Sequence, residues 1–84
     1  MRQEPEYFGD QELALVYVAR KLKHAIRLEE LLTEAQIDYA VESDKYVAGL
    51  LWRSERVGAF FYVLPEHADA AREVVRIGGW KPAD

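Results

Sequence analysis

The side chains that could bind a metal or act as acid–base groups are few and poorly spaced. The chain has two histidines, His24 and His67. His67 follows Glu66 directly and Asp69 comes two positions later, whereas ligands that share a helix face stand three or four residues apart. His24 lies in a basic run after Lys23, a setting that suits neither a metal ligand nor a catalytic base. We therefore expect no metal site and a solvated position for both histidines.

The possible nucleophiles and paired acids also lack a catalytic setting. There is no cysteine, which excludes thiolate chemistry, thiolate metal sites and disulfides. Ser43 and Ser54 fall in predicted turns without the sequence context of a nucleophile elbow or triad. Glu29 and Glu30 are adjacent and so diverge on a helix. The sequence predicts no catalytic residues, no cofactor and no enzymatic activity.

A basic run opens the first predicted helix, with Arg20, Lys21, Lys23 and Arg27 close together. The N-terminus of a helix attracts anions through its free N–H groups and its dipole. A phosphate or an acidic partner could dock there. Because no glycine-rich loop accompanies the run, a solvated charged face is the alternative interpretation.

The aromatic residues allow two interpretations. Tyr46, Trp52, Tyr62 and Trp80 could line a small-molecule pocket, or they could belong to the core and its cover.

RNA binding has weak support. The segment 16–19, Val-Tyr-Val-Ala, loosely matches the first strand of RNA-recognition motifs, but the segment 56–60, Arg-Val-Gly-Ala-Phe, lacks the aromatic spacing of their third strand. The net charge of −4 also opposes binding to nucleic acid and to anionic lipid. We expect neither a nucleic-acid partner nor a membrane partner.

Length and composition predict one small domain. A chain of 84 residues buries only about 60% of its unfolded surface, so association with a partner would stabilise it. The wholly apolar runs are far shorter than the ~20 residues that span a bilayer, and the first residues lack the apolar stretch of a secretory signal. Together with the absence of cysteine, this favours a cytoplasmic location.

Hydrophobic periodicity places the elements. They are strands over Glu12–Ala19, Ile37–Glu42 and Val57–Leu64, an apolar segment Tyr46–Trp52 that is either a short strand or a packed loop, a helix over Leu22–Gln36, and a helix that begins at Pro65 and ends with Gly78 as a left-handed cap. Turns are expected at Ser43–Lys45 and Arg53–Arg56. Residues 1–11 form an irregular leader, residues 12–79 the domain and residues 80–84 a short tail.

The order β-α-β-(β)-β-α predicts an α+β domain of the ferredoxin-like, split βαβ type. Its single, mainly antiparallel sheet carries both helices on one face. The fourth strand of that plan is missing, which leaves the first strand at an edge with unpaired backbone groups.

The sheet face away from the helices is also apolar, because either Phe60 and Tyr62 or Phe61 and Val63 lie on it. Large exposed apolar patches mark interaction sites. We expect a homodimer or another protein partner, and the alternative is that the leader or residues 46–52 fold over the face. The expected partner or ligand surface comprises Val16, Tyr17, Tyr46, Trp52, Phe60 and Tyr62.

A resemblance covers about 65 positions, from Val16 to Ile77. The segment 25–32, Ala-Ile-Arg-Leu-Glu-Glu-Leu-Leu, and the segment 62–75, which contains Pro-Glu-x-Ala-x-x-Ala-Arg-Glu, resemble the family of prokaryotic signal-transducing proteins. Those are small bacterial domains of unknown function with a ferredoxin-like βαββα plan. Gln36 stands where relatives often have glycine, and residues 45–56 are atypical.

The resemblance implies a regulatory or protein-interaction role, and it assigns no functional residues. We therefore expect a non-enzymatic module that dimerises through an apolar sheet face or edge. The alternative is a small-ligand-binding or enzymatic dimer with an aromatic cavity on the open sheet face.

Overall fold

Three antiparallel strands and two α-helices form the described part of the chain, which is residues 1–48 and 54–83 of the computed structural model. The elements are strand β1 (Ala14–Ala19), helix α1 (Leu22–Glu34), strand β2 (Ala40–Ala48), strand β3 (Ser54–Val63) and helix α2 (Ala68–Ile77), with 3₁₀ turns at Pro5–Phe8 and Pro65–His67. The strand order is β1-β3-β2. Strand β3 is therefore central, and β1 and β2 lie on either side of it.

Both helices pack on the same side of the sheet. Phe61 and Val63 alternate along β3 and are completely buried in one cluster that includes residues of α1 and α2. The helical residues of this core are Ala25, Leu28, Leu32, Ala68, Ala71 and Val75. Their spacing of three and four confirms the apolar stripes expected from the sequence. We call the opposite side of the sheet the open face.

A bulge in β1 changes which of its residues lie on the open face. Leu15 pairs with Tyr62, but Tyr17 pairs with Phe61, so Val16 is an extra residue in the ladder. Val16 is fully buried in the core and Tyr17 packs against it. Neither residue therefore belongs to the open face, where strict alternation would have put one of them. A bulge bends its strand and redirects side chains in this way.

The strands β2 and β3 form a hairpin that extends beyond β1. The expected turn at Ser43–Lys45 is wrong, because β2 continues through it to pair Ala48 with Ser54. The last pair between β1 and β3 is Ala19 with Ala59, so five further pairs of β2 and β3 form a two-stranded arm. Residues 54–56 of the expected turn Arg53–Arg56 are also strand. Residues 49–53, including Trp52, lie outside the described part.

The leader packs along the β2 side of the sheet. The Gln3 N–H donates to the Tyr39 carbonyl at 2.8 Å, and the Tyr39 N–H donates to the Met1 carbonyl at 3.1 Å. Phe8 is buried although it does not belong to the core beneath the helices. Pro5 borders a pocket of about 280 Å³ together with Tyr62. The leader thus covers one end of the open face, which is part of the alternative considered above.

Buried Tyr39 links the start of β2 to helix α1. Its hydroxyl donates to a carboxylate oxygen of Glu29 at 3.0 Å. Burial, and then this hydrogen bond, raise the pKa of Tyr39 to about 12. The phenol therefore stays a neutral donor over the ordinary pH range.

Helix α2 ends in a left-handed cap, but at Gly79 rather than at Gly78. Gly78 keeps a helical φ of −71°, whereas Gly79 has φ +92°. The Gly79 N–H donates to the Arg76 carbonyl at 2.9 Å and the Trp80 N–H donates to the Val75 carbonyl at 3.1 Å. These two bonds define a Schellman motif, in which the left-handed residue favours glycine.

Helix α1 ends in the same motif with glutamine in the left-handed position. Gln36 has φ 60°, and the N–H groups of Gln36 and Ile37 donate to the carbonyls of Thr33 and Leu32, both at 3.0 Å. The left-handed conformation costs a residue with a Cβ roughly 1–2 kcal/mol. This explains why glycine suits the position and why Gln36 is a strained choice there.

We expect Gln36→Gly to stabilise the fold by about 0.5–1 kcal/mol. Glycine removes the cost of the left-handed conformation, but its greater entropy in the unfolded chain offsets part of that gain. The melting temperature should rise by roughly 2–6 °C. Gln36→Ala is the matched control, because alanine keeps the Cβ and should bring no gain. A fall in melting temperature for Gln36→Gly in thermal unfolding would contradict the left-handed assignment.

Candidate functional site

A cleft of about 630 Å³ opens beside the start of α1. One wall comes from the end of β1 and the first turn of α1, and the other comes from the segment after α2. It is lined by Tyr17, Val18, Arg20, Lys21, His24, Gly79, Trp80, Lys81, Pro82 and Ala83. We call it the tail cleft.

Packing of Trp80 positions the two walls. Its ring stacks on Tyr17 with centroids 5.6 Å apart and lies 5.5 Å from the ring of His24. The Schellman cap at Gly79 turns the chain back toward the sheet, so that Trp80 comes to lie over β1. Further along the tail, the Ala83 N–H donates to the Val16 carbonyl at 2.8 Å. The tail thereby binds to the outer edge of β1, which the sequence predicts to be unpaired.

The described charged residues of the tail cleft, Arg20, Lys21 and Lys81, are all basic. Arg20 and Lys21 lie before α1 and Lys81 lies on the tail, and no acidic residue is found among the described residues of its lining. Burial raises the pKa of Tyr17, and the positive charge of Arg20 nearby acts in the opposite direction. The cleft is thus basic in a chain whose net charge is −4.

The basic run predicted from the sequence divides in the structure. Arg20 and Lys21 line the tail cleft, whereas Lys23 is exposed elsewhere on α1. Arg27 binds Glu30 on its own helix, with 2.9 Å between the guanidinium and a carboxylate oxygen. The sequence places these four cations at one helix end, but only the first two face a cavity.

Two residues line the tail cleft although the sequence did not indicate it. His24 was expected at a solvated surface, and Lys81 was not singled out. The basic character of Lys81 was readable from the sequence, but its position was not, because it depends on the turn at Gly79 and on Trp80 docking against Tyr17.

The open face carries the second candidate surface. In β1 and β3, Leu15 pairs with Tyr62 and Val18 pairs with Phe60, so these four side chains form two adjacent apolar rows. All four are half-buried. In β2, buried Ala40 continues the first row. Phe60 and Tyr62 thus lie on the open face together with Leu15 and Val18, whereas Val16 and Tyr17, the residues of β1 in the expected surface, do not.

The remaining members of the expected surface are Tyr46 and Trp52. Tyr46 pairs with Arg56 in the arm, while Trp52 lies outside the described residues.

No protein-family model matches the chain, and no curated protein or solved structure is significantly similar to it. The resemblance to the signal-transducing family therefore remains an expectation.

Within residues 1–48 and 54–83, no group of three histidine, aspartate or glutamate side chains could hold a metal ion. The same residues contain no helix that is long and apolar enough to cross a membrane.

Proposed function

We propose that this chain is a non-enzymatic regulatory or protein-interaction module that pairs with a second copy of itself through the open face. The observation that carries the proposal is the pair of apolar rows formed by Leu15, Tyr62, Val18 and Phe60. The helices cover only the other side of the sheet, and the leader reaches only one end of the open face. An apolar face of this kind gains stability when a partner removes it from water.

A second copy is the partner that suits this surface best. An apolar patch is complementary to itself, and the commonest soluble oligomer is a two-fold dimer that uses the same patch on both subunits. The arm adds five residue pairs to the length of the sheet, about 17 Å at the usual rise per residue. The longer sheet offers more area for contact, and a stable interface buries about 800 Å² on each partner.

The strand order β1-β3-β2 supports a ferredoxin-like plan for the module, with the tail at the edge where a fourth strand would lie. A regulatory role in the cytoplasm agrees with a chain that has no cysteine and with the family resemblance. The alternative function, ligand binding in an aromatic cavity, is favoured by one observation, the tail cleft, although that cleft lies at the edge of β1 and shares with the open face only Val18 of the four residues named above.

Light scattering coupled to size exclusion tests the dimer at tens of micromolar protein. The wild type should elute at twice 9.7 kDa, and Phe60→Lys should elute as a monomer because the charge lies in the centre of the face. Ile77→Lys is the matched control, since Ile77 is an exposed apolar residue of α2 away from this face. It should remain dimeric.

Folding of Phe60→Lys is checked by circular dichroism. If that variant unfolds, the wild type alone still decides the matter, because the melting temperature of a dimer rises with protein concentration. A wild type that elutes as a monomer and melts at the same temperature at all concentrations would rule out the proposal.

A further inference from the structure

We propose that the tail cleft binds a small organic phosphate that carries an aromatic ring, a ligand of the nucleotide class. This inference does not require the dimer: the lining of the tail cleft shares Val18 with the open face but does not include Leu15, Phe60 or Tyr62.

The first argument is the charge. Arg20, Lys21 and Lys81 come from two segments about 60 positions apart, and folding brings them around one cavity. The positive potential of three cations around one cavity favours the binding of an anion there. Phosphate groups suit such a site, because charge-assisted hydrogen bonds from arginine and lysine to phosphate oxygens are strong.

The start of α1 adds to the positive electrostatic potential of the tail cleft. Lys21 is the N-cap residue, its side chain makes no capping hydrogen bond, and the first turn of the helix contains no acid. The N-terminal N–H groups and the helix dipole therefore favour an anion in the same region.

The second argument is the size and the apolar part of the lining. A volume of about 630 Å³ is in the range of sites for organic ligands and far exceeds that of one inorganic phosphate. Tyr17, Trp80 and Pro82 supply apolar and aromatic surface next to the cations. A ligand with a ring joined to a phosphate uses both parts of this lining, whereas a simple anion uses only one.

Fluorescence of Trp80 provides the measurement. The chain has two tryptophans, so Trp52→Phe leaves Trp80 as the only one. ATP, AMP, adenosine and pyrophosphate are titrated into this variant separately. ATP and AMP should change the emission saturably, with adenosine and pyrophosphate each at least about tenfold weaker, because each lacks one of the two recognised parts.

Charge variants show whether the ligand binds in the cleft. Arg20→Gln and Lys81→Gln should each weaken AMP binding by about three- to tenfold. Lys23→Gln removes the same charge from an exposed residue that does not line the cleft, and it should leave the affinity unchanged within about twofold. Circular dichroism shows whether each variant is folded. If Arg20→Gln does not fold, Lys81→Gln still tests the proposal, because Lys81 lies on the tail.

Three results would overturn the proposal. The first is no saturable change with any of the four probes up to about 5 mM, a concentration above the range of specific small-molecule sites. The second is pyrophosphate binding as tightly as ATP, which would show that the ring is not recognised. The third is an equal loss of affinity in Lys23→Gln and in the two cleft variants, which would show general attraction rather than a site.

Discussion

Replacing Phe61 with alanine is expected to destabilise the fold by about 3–5 kcal/mol, the cost of truncating a fully buried phenylalanine. Phe61 has no exposed surface, lies in the central strand and packs against the tilted ring of Tyr39, with ring centroids 5.8 Å apart. A domain of this size has roughly 5–10 kcal/mol of stability in total. The urea midpoint should therefore fall by about a third or more, as followed by circular dichroism.

The adjacent residue is the control. Phe60 has the same side chain but lies half-buried on the open face, so Phe60→Ala leaves a smaller cavity and should cost less than half as much as Phe61→Ala. The comparison is made at a protein concentration low enough to keep the chain monomeric. Equal costs for the two variants would contradict the assignment of Phe61 to the helix side.

Much of the fold was predictable because its periodic signals are strong. The stripe of α1 and the alternation of β3 lead to the correct core, since Leu28, Leu32 and Phe61 are all fully buried. The sequence could not decide which face of β3 meets the helices, because both faces carry large apolar residues. That choice depends on how the helices pack, which a local pattern does not contain.

The errors arise where pairing between distant segments overrides local preference. Ser43, Asp44 and Lys45 have the composition of a turn, but β3 offers a continuous partner and the strand passes through them. The bulge at Val16 is likewise invisible in a run of apolar residues, although it decides that Tyr17 faces the core.

The candidate site was predictable only in part for a similar reason. The cations of the run 20–27 stand out in the sequence, but only Arg20 and Lys21 among them line the tail cleft. Residues of the tail form the other wall of that cleft, so the sequence of the run alone does not reveal it. The position of the tail depends in part on the left-handed conformation of Gly79, whereas the sequence predicts the left-handed residue at its neighbour Gly78.

Replacing Gly78 with alanine should displace Trp80 from its position over Tyr17. A Cβ on Gly78 would lie 2.5 Å from Cζ3 and 2.8 Å from Cε3 of the Trp80 ring, and 3.1 Å from Cδ1 of Leu31. The backbone itself tolerates alanine, because φ is −71° there and alanine favours a helix over glycine by up to about 1 kcal/mol. The steric conflict costs about 1–3 kcal/mol, so we expect a net loss of about 1–2 kcal/mol.

The spectra of Trp80 should also report the substitution at Gly78. With Trp52 replaced by phenylalanine, the emission of Trp80 should shift to the red and its near-ultraviolet dichroism should weaken as the ring leaves Tyr17. Gly79→Ala is the control, since φ +92° strains alanine by about 1–2 kcal/mol but a Cβ there meets nothing within 4 Å. It should lower the stability by a similar amount and leave the Trp80 spectra of the folded chain unchanged.

Comparing the two variants thus distinguishes backbone strain at Gly79 from steric crowding of the Trp80 ring at Gly78. If the tail cleft binds nucleotides, Gly78→Ala should also lower the affinity for AMP more than Gly79→Ala does, because Trp80 forms part of the lining. Identical spectra for the two variants would mean that Trp80 does not depend on the space above Gly78, and that the tail is held by other contacts, such as the hydrogen bond from Ala83 to Val16.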